Sequence, residues 1–177
     1  MVLISLFAAL TAVGAFVRIP IPPVPLTLQT LMVMFSGMIL GSRRAALSQL
    51  LYMIVGLIGV PVFAQGGGPG YVFQPSFGFL VGFIAGAWVI GRIVEGEKRV
   101  SLPRTIGALL WGQAVIYLIG IPYLYFILNF VVHKPMSLTT TLKIGFLIFI
   151  PGDVLKIAIA CLVITPIRQR ISIFQHN

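Results

Sequence analysis

Gln74-Pro-Ser-Phe-Gly-Phe-Leu-Val-Gly-Phe-Ile-Ala-Gly-Ala-Trp-Val-Ile-Gly91 runs for eighteen residues without a charge, and the stretch after it, Arg92 to Arg104, is the most charged in the chain. As a helix the apolar stretch is about 27 Å long at 1.5 Å per residue, close to the ~30 Å hydrocarbon core of a bilayer. Its Gly78, Gly82 and Gly86 repeat every fourth residue, a small-residue ladder that lets a second helix approach closely and is read as internal packing. The whole chain has the same character. Of its 177 residues 59% are hydrophobic and 8% charged, with a mean hydropathy of +1.09, against roughly 45–50% apolar and ~25% charged in a soluble domain. A soluble globule is excluded. The reading is an all-α integral membrane protein forming one membrane-embedded domain over 1–177, with six transmembrane helices.

Working outward, the first span covers about Val2 to Val17 and stops at Arg18-Ile-Pro-Ile-Pro-Pro-Val-Pro25, where four prolines in six residues forbid helix and favour a stiff, extended connection. The N-terminal run lacks a basic start and a small-residue cleavage site, so it reads as a span and not as a signal peptide. The second span, about Thr27 to Leu40, ends at the polar turn Gly41-Ser-Arg-Arg44. The third, about Ala45 to Ile58, gives way at Gly59-Val-Pro61 to the glycine run Gln65-Gly-Gly-Gly-Pro-Gly70, which is expected to form a mobile lid. Thr105 to Val132 is too long for one straight span, so Pro122 is expected to break it. Span five then ends near Gly120, and Pro122–Val132 is a half-length helix. Ser137–Ile150 is too short to cross, and Pro151-Gly152 opens a sixth span to about Ile167 with proline in the first turn.

The charges test this layout. Twelve Lys and Arg face three acids, for a net +9. The bases form no continuous stripe with interleaved aromatics, so nucleic acid is not the expected partner. Eight of them, at Arg43–Arg44, in Arg92–Arg104 and at Arg168 and Arg170, fall on one side with both chain ends. That side is assigned to the cytoplasm. The proline loop, the glycine loop and the half-helices gather on the opposite side, and irregular backbone at membrane depth persists only where protein or a cavity satisfies it, so a ligand pocket is expected there.

Asp153 is the one acid outside the charged stretch after span four, and Lys156 follows three residues later on the same helical face. An ionisable pair in a span marks a functional site by default, the plainer reading being an ion pair that caps the sixth helix. Tyr71 and Phe73 after the glycine run are placed either to cover a small ligand or to sit in an interfacial aromatic belt. Gln29, Gln49, Gln74 and Gln113 suit a pocket and interhelical hydrogen bonds equally. The small residues Ser5, Ala8, Ala12 and Ala15 line one face of the first helix. His133 stands alone and Cys161 is single, so no metal site is expected. No catalytic set and no Walker motif is present, so neither an enzyme nor an ATPase is expected.

Several motifs resemble a known family. Ala8-Ala-Leu-Thr-Ala-Val-Gly14, Ile19-Pro-Ile-Pro-Pro-Val-Pro-Leu-Thr-Leu-Gln-Thr30, Leu57-Ile-Gly-Val-Pro-Val-Phe63, the glycine run 66–70 and Pro151-Gly-Asp-Val-Leu-Lys156 occur in the order found in BioY proteins. These are the biotin-binding S components of energy-coupling factor transporters. Gln74-Pro-Ser-Phe-Gly78-Phe79 departs from the family's pattern, which is nearer Pro-Thr-Gly-Gly-Tyr. The resemblance implies six helices, a vitamin site near the outer surface, no cofactor, and assembly with a transmembrane coupling (T) component and two ATPase subunits. It also implies that Ala8 and Ala12 contact the coupling component. In the implied site Asp153 accepts from a ureido N–H, and Lys156 serves the ureido oxygen or the carboxylate of biotin. Gln29, Tyr71, Phe73 and Gln113 are the further candidates. The alternatives are an S component for another vitamin and a solitary secondary transporter that uses Asp153 and Lys156 as a proton-coupled switch.

Overall fold

A computed structural model describes residues 1–97 and 100–174, without the side chains of 165 and 168–174. Lys98, Arg99 and the side chains of Arg168 and Arg170, which the charge layout uses, lie outside the described residues. The chain folds as an all-α membrane protein with six principal helices. These are α1 (Val2–Phe16), α2 (Gln29–Leu40), α3 (Ser42–Leu57), α4 (Phe77–Val94), α5 (Leu102–Phe126) and, after a short α6 (Leu138–Leu142), α7 (Ile150–Phe174). Three helical runs, 77–94, 102–131 and 138–164, are long and apolar enough to cross a bilayer alone. The shorter α1, α2 and α3 pack beside them.

Proline and glycine decide where the helices end, with one exception to expectation. Pro122 does not break the chain: α5 continues through it to Phe126 and then widens into a π-helical turn, Ile127–Val131. A proline removes one backbone hydrogen bond, and in a membrane helix packed neighbours and local widening absorb that loss. The run of 30 residues is about 45 Å long, so it overshoots the hydrocarbon core instead of ending inside it. Pro151 falls in the first turn of α7, where its missing N–H has no helical partner to lose.

The loops at one end are more ordered than their composition suggests. The proline loop closes as a small antiparallel ribbon, β1 (Arg18–Ile19) against β2 (Leu26–Thr27), with Arg18 opposite Thr27 and a cis bond between Pro22 and Pro23. The glycine run is not a free lid. Gly68 donates its N–H to the Gly56 carbonyl at 2.7 Å, and a Cβ on Gly67 would stand 2.3 Å from the Val60 oxygen. Backbone alone fits against the end of α3, after which Pro69–Phe73 forms a 3-10 turn.

Close backbone approach also governs α4 and α5, which make the most extensive helix contact in the chain. A Cβ on Gly82 would lie 2.9 Å from the Ile116 oxygen, and one on Gly86 would lie 2.9 Å from the Gly112 oxygen. The ladder thus packs internally, as its spacing implies. The small stripe of α1 is divided: Ala8 and Ala15 are buried in the chain's own interior, where α1 packs on α2 and α3, while Ala12 is half-buried and Ser5 is exposed. At the other end of the bundle, Ser42 donates to Glu95 at 2.7 Å, and Arg104 pairs with Glu97 at 2.8 Å while its Nε donates to the Ile93 carbonyl. Gly82→Ala is expected to lower stability by about 1–3 kcal/mol, because the nearest obstacle is backbone. Gly107→Ala, with nothing within 4 Å of its added methyl, is the neutral control; thermal unfolding in detergent compares them.

Candidate functional site

The helices surround a cavity beneath the loops, about 530 Å³ counted with the open space at its mouth. Val24, Pro25 and Thr27 of the proline loop, Ala64 and Tyr71 of the glycine loop, and residues of α2, α4, α5 and α7 line it. Its walls are apolar, with Phe79, Leu80 and Phe83 from α4, Ile116 from α5 and Phe149 just before α7.

The polar part is a single buried cluster. Asp153 and Lys156 are 6% and 5% exposed, and the helical spacing of three brings Lys156 Nζ to 3.2 Å from Asp153 Oδ1. The other carboxylate oxygen accepts from Gln113 Nε2 at 3.0 Å and from the Tyr117 hydroxyl, both on α5. Lys156 also donates to Thr30 Oγ1 on α2 at 2.8 Å. A buried ion pair tolerates low dielectric only when further hydrogen bonds satisfy it, and here two neighbouring helices supply them. The pair is therefore more than a cap on its own helix.

Hydrogen-bond counting shows what the cluster leaves open. Lys156 has three N–H donors and spends one on Asp153 and one on Thr30. Gln113 must turn its NH₂ toward the carboxylate, so its Oε1 faces elsewhere; that atom is buried without a partner. Asp153 and Lys156 cancel in charge. The floor thus offers one donor and one acceptor in a neutral setting, suited to an uncharged group that carries both N–H and C=O.

Gln29 and Tyr71 also line the cavity, but each is tied into the wall. Gln29 donates to the Tyr52 hydroxyl at 2.7 Å and its Oε1 accepts from Thr27 at 3.0 Å, while Tyr52 donates on to the Val62 carbonyl at 3.0 Å. This joins α2, α3 and both loops. Tyr71 is buried, its hydroxyl 3.2 Å from Ser76 Oγ and its ring packed at a tilt against Phe63, with the ring centroids 4.5 Å apart. Phe73 is the exception among the candidates: it is 61% exposed and outside the cavity lining, the placement of an interfacial aromatic. Sequence reasoning passed over Tyr117, Thr30 and Ser76. Tyr117 stands one helical turn after Gln113, so the i, i+4 spacing of two polar tips in an apolar run was the signal available.

The model of the BioY family matches residues 1–173. A probable biotin transporter BioY of Lysinibacillus sphaericus is 45% identical over 86% of this chain and 78% of its own length. The biotin transporter BioY of Rhodobacter capsulatus is 42% identical over 94% and 92%, and that of Thermotoga maritima 36% over 93% of each. Among solved structures, the S-component for biotin from an ECF-type ABC transporter superposes with a TM-score of 0.82 at 26% identity, covering 95% of this chain and 89% of that one. With the family model matching nearly its full length and relatives up to 45% identical, the chain belongs to the BioY family.

Proposed function

We propose that this chain is a biotin-capturing S component, which binds the vitamin in the cavity under its loops and passes it across the membrane with a coupling component and two ATPase subunits. The observation that carries the proposal is the neutral, buried Asp153–Lys156 cluster at the floor of a small apolar cavity, in a chain whose relatives are named as biotin transporters. The ureido ring of biotin is uncharged and carries both N–H and C=O. It matches the open acceptor and donor on Gln113 and Lys156, with Asp153 as a further acceptor. The thioether ring and the methylene tail suit walls of Phe79, Phe83 and Ile116.

The energy source lies outside the chain. No Gly-x-x-x-x-Gly-Lys-Ser/Thr stretch occurs in the sequence, so the nucleotide chemistry belongs to partner subunits. The bases in the stretches 41–44 and 92–104 support a reading in which that side faces the cytoplasm with both termini and the cavity loops face outside. The coupling component docks on α1, where Ser5 and Ala9 are exposed and Ala12 is half-exposed beside them. Small residues there allow close approach of a partner helix.

Three measurements test the proposal. The double variant Asp153→Asn/Lys156→Gln removes both charges together, so no lone buried charge threatens the fold. It should bind biotin about 100-fold more weakly or worse by calorimetric titration, and unchanged affinity would remove the cluster from the site. In proteoliposomes the isolated protein should not concentrate biotin, whereas reconstitution with coupling and ATPase subunits should give ATP-dependent uptake. Accumulation driven by a proton gradient in the isolated protein would instead make it a secondary transporter. Ala12→Trp should reduce co-purification with the coupling component and spare biotin binding, while Ala8→Trp, at a buried position, should lower the unfolding temperature.

A further inference from the structure

Above the inner cavity lies a second, wider chamber between the proline ribbon and the glycine loop, about 1190 Å³ counted with its open mouth. The two chambers share Pro25 and Ala64 in their linings. They also meet at the ring pair Phe63 and Tyr71, the first lining the outer chamber and the second the inner. Of the outer chamber's lining residues one is charged, Arg18, and the rest are prolines, other apolar residues, a glycine and the amide of Gln65. Arg18 begins β1, whose backbone pairing with Thr27 fixes where its side chain starts. Among the described residues its guanidinium has no hydrogen-bond or ion-pair partner.

Resting on the reading of the ligand as biotin, we infer that Arg18 holds the ligand's carboxylate in the outer chamber while the ureido ring occupies the floor, so that Arg18 selects for a free acid tail. The charge balance of the floor decides the direction. Lys156 already neutralises Asp153 at 3.2 Å, and a carboxylate brought there would leave a net negative charge in low dielectric, a costly arrangement. A neutral ureido group adds none. At the mouth the situation is reversed, since Arg18 is an unpaired cation and a guanidinium meets a carboxylate bidentately. Its field also reaches inward. Burial pushes the Tyr71 hydroxyl up, and the bonds to Ser76 and the Gln65 backbone and then the Arg18 charge pull it back down. A tail that leaves the inner cavity past Tyr71 therefore arrives in the field of Arg18. Lys156 keeps its free N–H for the ureido oxygen, which separates the two roles that the sequence left open.

The test compares biotin with biotin methyl ester on purified wild-type protein, Arg18→Gln and Arg18→Lys by titration calorimetry. Arg18→Gln should weaken biotin roughly ten-fold, and added salt should narrow the gap between it and wild type. The ester should bind wild type and Arg18→Gln alike, which also shows that the variant is folded, and Arg18→Lys should recover part of the affinity for the acid. Loss of all ester binding by wild type that still binds biotin would place the carboxylate inside and overturn the inference. So would equal weakening of acid and ester by Arg18→Gln, or no effect on either. Failure of wild type to bind biotin at all would overturn the biotin reading and this inference with it, whereas binding of biotin without the Arg18 effect overturns the inference alone.

Discussion

Everything in this protein is arranged around one buried ion pair. Asp153 and Lys156 sit on α7 in a setting where a lone charge is prohibitively costly, and their own attraction does not offset the loss of water. The remainder comes from Gln113 and Tyr117 on α5 and Thr30 on α2. Those donors and acceptors must be brought within 3 Å or so, which fixes the relative depth and rotation of three helices. The site's geometry and the helix packing are one requirement stated twice.

That requirement explains the glycines and the loops. Holding α5 at the right depth calls for a neighbour without side chains in the way, and α4 supplies it with Gly82 and Gly86 against Ile116 and Gly112. Closing the cavity calls for loops that stay put in a polar–apolar boundary. The proline ribbon does this through fixed backbone and one strand pair, and the glycine loop does it by laying bare backbone on the end of α3. Tyr52 fastens the two ends of the arrangement, because it accepts from Gln29 and donates to Val62.

Much of this is legible in the sequence, because lipid makes strong demands on composition. Helix positions follow from apolar runs, and the ion pair follows from the scarcity of acids together with a spacing of three. The internal role of Gly78, Gly82 and Gly86 follows from a spacing of four. What the sequence conceals are effects of surroundings. Pro122 reads as a break because its missing hydrogen bond is local, while the packing and the π turn that absorb the loss are not. Ala8, buried, and Phe73, exposed, show the same limit: composition tells which residues share a face, and only the assembled bundle decides whether that face looks inward or outward. Tyr117 was missed because a tyrosine in an apolar helix looks like bulk until a carboxylate is seen at its tip.

The bond from Lys156 to Thr30 joins residues 126 positions apart in sequence. The chain enters the membrane in order, so α2 waits through the insertion of α3, α4 and α5 before α7 brings its partner. Until then Thr30, Gln113 and Tyr117 surround a place with no ion in it. The cavity floor is thus completed only when α7 joins α2 and α5. A chain stalled before α7 lacks the anion and cation on which the site converges, so the floor of the cavity arises in one step of biogenesis.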